Sequence, residues 1–225
     1  MGLFKKKTIS TDLSTTQQLN RITKEDLFGA MFSSKDFNGF EDILESNRII
    51  NRELYINKGI EAELANNIIQ MIQFYNEYDN EISLPIKQRR PIKIYIDTIG
   101  GDTIAALGIV DAINLSKTPV ITINVSKAYS AGFLIFINGD KRYCYPNSSF
   151  LFHEGSVSDM SGDANKFQDF SDFYKELRKK IKKIILEKTE ISEELYKEKE
   201  KDDWYFFAED AIKYGMADKI VKGVM

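Results

Sequence analysis

Two short runs and the turn between them decide the fold: Ile92-Lys-Ile-Tyr-Ile96, then Asp97-Thr-Ile-Gly-Gly-Asp102, and after a helical stretch Pro119-Val-Ile-Thr-Ile-Asn-Val125. The first and last runs are short and β-branched, which is the signature of a strand. Gly100 and Gly101 break the first strand. Asp102 is placed to cap the helix Thr103–Leu115, because an Asp side chain can accept from the free N–H groups of a first helical turn. Strand, glycine turn, helix and strand make a βαβ unit, and such a unit implies a parallel pair joined by a right-handed crossover. The expected class is therefore α/β.

Working upstream, Gly59–Tyr75 reads as a helix. Ile60, Leu64, Ile68, Ile69, Ile72 and Phe74/Tyr75 recur at helical spacing. Asn76–Arg90 is polar and ends at Pro91, so it is expected to be a loop. Residues 48–57 suit a short strand and turn. Residues 1–45 are polar and weakly periodic and are expected to form an N-terminal arm, with one short helix around Lys24–Phe32. Downstream, a helix is expected from Ser130 and strands at Lys141–Tyr145 and Ser149–His153. Gly155–Gly162 is small and polar. Asp163–Thr189 reads as one long helix of about 40 Å. Its residues Phe167, Phe170, Tyr174, Leu177, Ile181 and Ile184 are spaced as a heptad seam. That seam suits either a helix lying on its own core or one packing on a second subunit. The tail holds a short helix (Ala208–Tyr214), Gly215 as its stop, and a final strand.

Composition narrows the function. With 225 residues, 43% of them hydrophobic, the chain is neither too small nor too polar to bury a core. The 31 Lys+Arg and 34 Asp+Glu nearly balance, so nothing points to nucleic acid. One cysteine excludes an intrachain disulfide and a Cys-rich zinc site. One histidine, His153, excludes any metal site or mechanism needing two within one chain. Lys5-Lys6-Lys7 is followed by a polar stretch instead of an apolar signal region, and no run is long enough to span a membrane. A cytoplasmic, cofactor-free protein is the expectation.

The chemistry-bearing residues are few. Gly100-Gly101 between a strand and a helix can present backbone N–H groups to an anion, although most such glycines only permit a tight turn. The loop is neither a Walker A motif nor GxGxxG. Ser130, in Ala128-Tyr-Ser-Ala-Gly132, lies at a strand end before an apolar helix, where a nucleophile's developing negative charge is favoured. An N-cap serine would occupy the same place. His153 ends a strand, and Asp203 sits beside Asp202 and Trp204 in a charged stretch. Together they supply a nucleophile, an imidazole to take its proton, and a carboxylate to orient the imidazole. The order Ser, His, Asp differs from the Ser, Asp, His of α/β-hydrolases, and the GxSxG elbow is absent.

These motifs resemble the Clp protease proteolytic subunit (ClpP) family from about Arg48 to the C-terminus. Tyr95-Ile-Asp-Thr-Ile-Gly-Gly101 is similar to the family's Tyr-Ile-Asn-Ser-Pro-Gly-Gly, with Ile99 in place of proline. Ala128-Tyr-Ser-Ala-Gly132 is similar to the nucleophile segment Ala-Ala-Ser-Met-Gly. Lys141–Ser148 resembles the segment leading to the catalytic histidine, and Ala208–Asp218 the C-terminal segment whose aspartate stands eleven residues before Tyr214. The resemblance implies Ser130 as nucleophile, His153 as general base and acid, and Asp203 as the orienting carboxylate. It implies an oxyanion hole from the N–H groups of Gly101 and Ala131. Gly100, Asp102, Glu154 and Gly155 would contact substrate, with Glu154-Gly155 standing where the family has Gln-Pro. It further implies a crotonase-like superhelix of ββα units, a peptidase domain over residues 46–225, and a protruding handle at about 155–190. Residues 1–45 would be an arm, a propeptide or an axial region.

The family's members stack as heptameric rings around a chamber that degrades unfolded polypeptides or peptides, fed by an AAA+ unfoldase. Tyr95 and Tyr143 match the aromatic docking surface for that ATPase, whereas Lys93 and Leu115 replace aromatics there. Three other readings share features with this one. They are a catalytically silent subunit of a mixed ring, a crotonase-like acyl-CoA enzyme, and a signal-peptide-peptidase relative using Ser130 with Lys127.

Overall fold

The computed structural model describes residues 40–155 and 164–223. The chain divides into two units, residues 1–51 and 52–225. In the first, the described element is helix α1 (Phe40–Asn51). It occupies positions 48–51, where a strand and turn were expected. The reason is local: Arg48 pairs with Glu45 one turn earlier, and the Asn51 amide donates to the Asn47 carbonyl at 2.8 Å. Such i,i+3 and i,i+4 contacts favour helix. The helix expected around Lys24–Phe32 lies outside the described residues.

The second unit is built on a seven-stranded sheet. In chain order the elements are β1 (Glu53–Ile56), α2 (Ala62–Glu81), a 3₁₀ turn (Ile86–Gln88), β2 (Ile92–Thr98), α3 (Thr103–Leu115), β3 (Val120–Tyr129) and α4 (Ala131–Phe136). Then come β4 (Lys141–Cys144), β5 (Ser149–Phe152), α5 (Ala164–Lys188), α6 (Glu193–Lys199), β6 (Trp204–Phe207), α7 (Ala208–Lys213) and β7 (Lys219–Ile220). Strands β1-β2-β3-β4-β7 run parallel in that spatial order. The βαβ unit is present as read. Asp102 Oδ1 accepts from the N–H groups of Ile104 (2.7 Å) and Ala105 (2.9 Å), which caps α3.

β3 is long enough to serve two partners. Its first half pairs with β4, and Lys127–Tyr129 pair in parallel with Ser149–Leu151 of β5. Between the halves the β2–β3 register shifts, from Ile96↔Asn124 to Thr98↔Ala128. Buried Asn124 bridges that irregularity by donating to the Ser149 carbonyl at 2.9 Å. The shift re-aims the end of β3, a common use of a bulge. β6 then closes this edge of the sheet, antiparallel to β5, with Phe152 opposite Trp204. Ile56, Ile94, Ile109, Phe136 and Phe150 lie among the fully buried core residues.

α2 extends six residues past Tyr75, into what was expected to be loop. Its buried stripe is Leu64, Ile68, Ile72, Tyr75 and then Asp79. The stripe continues at helical spacing, but its last member is a carboxylate and so is silent in a hydrophobic pattern. Asp79 is fully buried and accepts from Arg52 Nη2 at 2.6 Å and Nη1 at 2.7 Å, and from the Thr118 hydroxyl at 2.8 Å. Burial alone would raise the Asp79 carboxyl's pKa. The Arg52 guanidinium and the Thr118 hydroxyl overcome it and hold the group below the usual carboxylate range.

α5 falls within the expected long helix, and its seam divides. Leu177 is buried and Ile181 and Ile184 pack partly buried against the core, whereas Phe167 and Phe170, with Phe173 beside them, are exposed. The C-terminal part of the helix therefore packs on its own core and the N-terminal part presents aromatics outward. Among the described residues no helix is long and apolar enough to cross a membrane.

Candidate active site

Ser130 is the single residue between β3 and α4, and its backbone takes φ 54° and ψ −119°. A non-glycine residue there is strained and persists only when its surroundings impose it. Here the Ser130 N–H donates to the Leu151 carbonyl of β5 at 2.9 Å, and its own carbonyl accepts from Leu134 N–H of α4 at 3.2 Å. The serine is thus pinned between a strand and a helix, which makes a sharp elbow.

The elbow rests on the glycine turn. An added Cβ on Gly100 (φ +102°) would lie 2.8 Å from Ser130 Cβ and 2.8 Å from the Tyr129 carbonyl oxygen. One on Gly101 (φ +148°) would lie 2.3 Å from the Ile60 carbonyl oxygen. Only glycine permits both close approaches. The turn keeps its shape without a proline at Ile99. Gly100 N–H donates to Thr98 Oγ1 at 3.1 Å, and Thr98 Oγ1 donates to the Lys58 carbonyl at 2.7 Å. Ile60 brackets it, giving its N–H to the Gly100 carbonyl (2.9 Å) and accepting from Asp102 N–H (2.7 Å).

His153 follows β5, and Asp203 precedes β6. Because Phe152 faces Trp204 across this antiparallel pair, the next step of the register sets His153 opposite Asp203. His153 Nε2 lies 2.7 Å from Ser130 Oγ, and Nδ1 lies 3.4 Å from Asp203 Oδ1. Residues 130, 153 and 203 are thus brought together in the order hydroxyl, imidazole, carboxylate. The carboxylate contact is the looser one, and the Asp203 side chain is 58% exposed. Lys127, the alternative base, instead donates to Asp97 Oδ1 at 2.8 Å.

A pocket opens beside the serine. Ser130, Ala131, His153, Glu154 and Gly155 line it, with Phe133 and Phe152 beneath. The Gly101 turn and Asp102 are not among the lining residues, and the Asp102 carboxylate is occupied in capping α3. The lining residues that sequence did not mark as site residues include Arg178, Ile181 and Ile185 of α5, and Tyr196 of α6. Ile181 carried only a seam signal, and α6 lies in a Lys/Glu-rich stretch without an apolar pattern. Tyr196 is nevertheless buried, with its ring against Phe152 at a centroid distance of 5.3 Å. Burial pushes its hydroxyl up to about 12.

The family model for Clp protease matches residues 40–224. The ATP-dependent Clp protease proteolytic subunit 2 of Treponema denticola is 30% identical over 185 residues, covering 81% of this chain and 88% of the relative. The ATP-dependent Clp protease proteolytic subunit of Lactococcus lactis subsp. cremoris is 30% identical over 169 residues, 72% of this chain and 79% of the relative. That of Deinococcus radiodurans is 27% identical over 172 residues, 76% of this chain and 80% of the relative.

Proposed function

The chain belongs to the Clp protease family, and from that premise we propose that it is a serine endopeptidase cleaving unfolded polypeptides or peptides. The observation that carries this reading is the 2.7 Å contact between His153 Nε2 and the oxygen of a serine held at a strained elbow. In the proposed reaction His153 takes the Ser130 proton as Oγ attacks the substrate carbonyl. Asp203 then stabilises the imidazolium, His153 returns the proton to the leaving amine as the C–N bond breaks, and a water deprotonated by His153 then releases the acyl group from Ser130 Oγ. The N–H groups of Gly101 and Ala131 receive the oxyanion; both are backbone donors, so the Ala131 side chain is immaterial to that role. Work would proceed in stacked heptameric rings fed by an AAA+ unfoldase, with the exposed aromatics Phe167, Phe170 and Phe173 of α5 serving ring-to-ring packing. A catalytically silent subunit of a mixed ring is the second reading, and it draws on the 3.4 Å separation of His153 from an exposed Asp203.

A fluorophosphonate probe separates the two. The assembled protein is expected to label at Ser130, and Ser130→Ala to abolish labelling without changing the size measured by light scattering. An assembled oligomer that does not label, but co-purifies with an active partner subunit, would establish the silent subunit instead. Gly100→Ala tests the elbow's support. The added methyl must displace Ser130 or Tyr129, and a misplacement near 1 Å is expected to slow labelling about a hundredfold. An unchanged labelling rate would show that the turn does not position the serine.

A further inference from the structure

One side chain joins the glycine turn to the elbow. Thr98, the last residue of β2, is 1% exposed. Its Oγ1 accepts from Gly100 N–H at 3.1 Å and donates to the Lys58 carbonyl at 2.7 Å. Lys58 belongs to the segment that brackets the turn, where Ile60 N–H donates to the Gly100 carbonyl at 2.9 Å. That last bond fixes the plane of the Gly100–Gly101 peptide. Because the peptide is planar and trans, the Gly101 N–H points away from the carbonyl that Ile60 holds. The methyl of the same threonine meets α4: a Cβ added on Gly132 would lie 2.4 Å from Thr98 Cγ2. Gly132 directly follows Ala131 in the first turn of α4.

We propose that Thr98 is a positioning residue for the oxyanion hole, setting the distance between the Gly101 and Ala131 N–H groups. The proposal rests on the serine-peptidase reading and deepens it. Both donors are backbone groups, so neither is tuned by its own side chain. Their separation depends on how the glycine turn sits against α4. The Thr98 hydroxyl ties the turn to its bracket, and the methyl is the spacer that sets how closely α4 approaches β2. A β-branched side chain is stiff at χ1, so hydroxyl and methyl hold a fixed angle and the two elements are locked together. Valine would keep the spacer but leave the buried Gly100 N–H without its acceptor. Serine would keep the tie and lose the spacer. Thr98 is not among the residues lining the pocket, so it acts through the turn and not on substrate. Preorganised donors act on charge that develops only in the transition state, so their misplacement is read in kcat.

The test compares Thr98→Val, Thr98→Ser, Gly132→Ala and T98S/G132A in the assembled full-length protein. Each is assayed for kcat and KM on a fluorogenic peptide, and for inhibition by a peptide boronic acid, which forms a tetrahedral adduct on a nucleophilic serine. Thr98→Val is expected to lower kcat and boronic acid affinity about a hundredfold, with KM within about twofold of wild type. Thr98→Ser keeps the hydroxyl and should stay within about tenfold of wild type in kcat. Gly132→Ala drives a methyl into Thr98 Cγ2 and should lower kcat about a hundredfold. T98S/G132A removes the obstructing methyl and should regain at least about tenfold of that loss. The Gly132 pair reads the role independently where Thr98→Val fails to assemble. Unchanged kcat in Thr98→Val or in Gly132→Ala, a loss that falls on KM instead of kcat, or a double variant no better than Gly132→Ala alone overturns the positioning role and leaves the peptidase reading intact. A wild-type assembly that neither cleaves the peptide nor binds the boronic acid overturns that reading and the positioning role with it.

Discussion

His153→Ala is expected to reduce peptide hydrolysis by about four to six orders of magnitude while leaving the protein folded and assembled. The size of the effect follows from scarcity and geometry together. The sequence holds one histidine, so no second imidazole in the same chain can take over. The nearest lysine in sequence to the nucleophile, Lys127, is engaged with Asp97. Without Nε2 at 2.7 Å, Ser130 Oγ keeps its proton at neutral pH and is a poor nucleophile. The side chain is a quarter exposed at the end of β5, so its removal opens no core cavity. A steady-state assay of kcat/KM beside a thermal melt checks both halves of the expectation. Residual activity within tenfold of wild type would mean that the base lies elsewhere.

The second large effect concerns stability. Asp79→Ala is expected to cost about 3–5 kcal/mol, because it strands the buried Arg52 guanidinium without its counter-charge. For a chain of this size that corresponds to a fall in Tm of roughly 10 °C. Arg52 has other contacts, to the Arg90 carbonyl at 3.0 Å and over the Tyr75 ring at 5.2 Å, but neither neutralises it. Replacing both partners with apolar residues, as in R52M/D79L, should recover much of the loss, since the cost arises from the unpaired charge more than from absent attraction. The pair also sets an acid limit. A carboxyl whose pKa is depressed by folding contributes fully above its ordinary value of 3.8, and loses that contribution as pH falls through the lowered one. Wild type should therefore lose stability below pH 3.8 by a component that R52M/D79L lacks. A double variant as unstable as Asp79→Ala would assign the loss to shape.

The β-branched runs around Gly100-Gly101 carry the parallel βαβ unit in the sequence itself, and the Asp102 cap follows from residue type alone. Local chemistry suffices there because the turn and the cap use contacts within a few residues and each strand is marked by its own β-branched run. The same logic misplaced residues 76–81, where a buried carboxylate continues a helical stripe. A carboxylate is read as solvated unless its partner is visible, and Arg52 lies 27 positions away. Strand β6 and helix α6 went unrecognised for a related reason. β6 is four residues long and gains its stability by pairing with β5, and α6 buries chiefly Tyr196.

The sequence by itself determined the class, the family resemblance and the three candidate residues, because residue identity and order carry that information. Tertiary structure alone decided their geometry. The register of β5 against β6 sets residue 153 opposite 203, and the shift within β3 aims residue 130 at the same point. It also brought Arg178, from a distant helix, onto Glu154 in the lining of the pocket. Proximity between distant segments is a property of packing, and no local pattern of side chains encodes it.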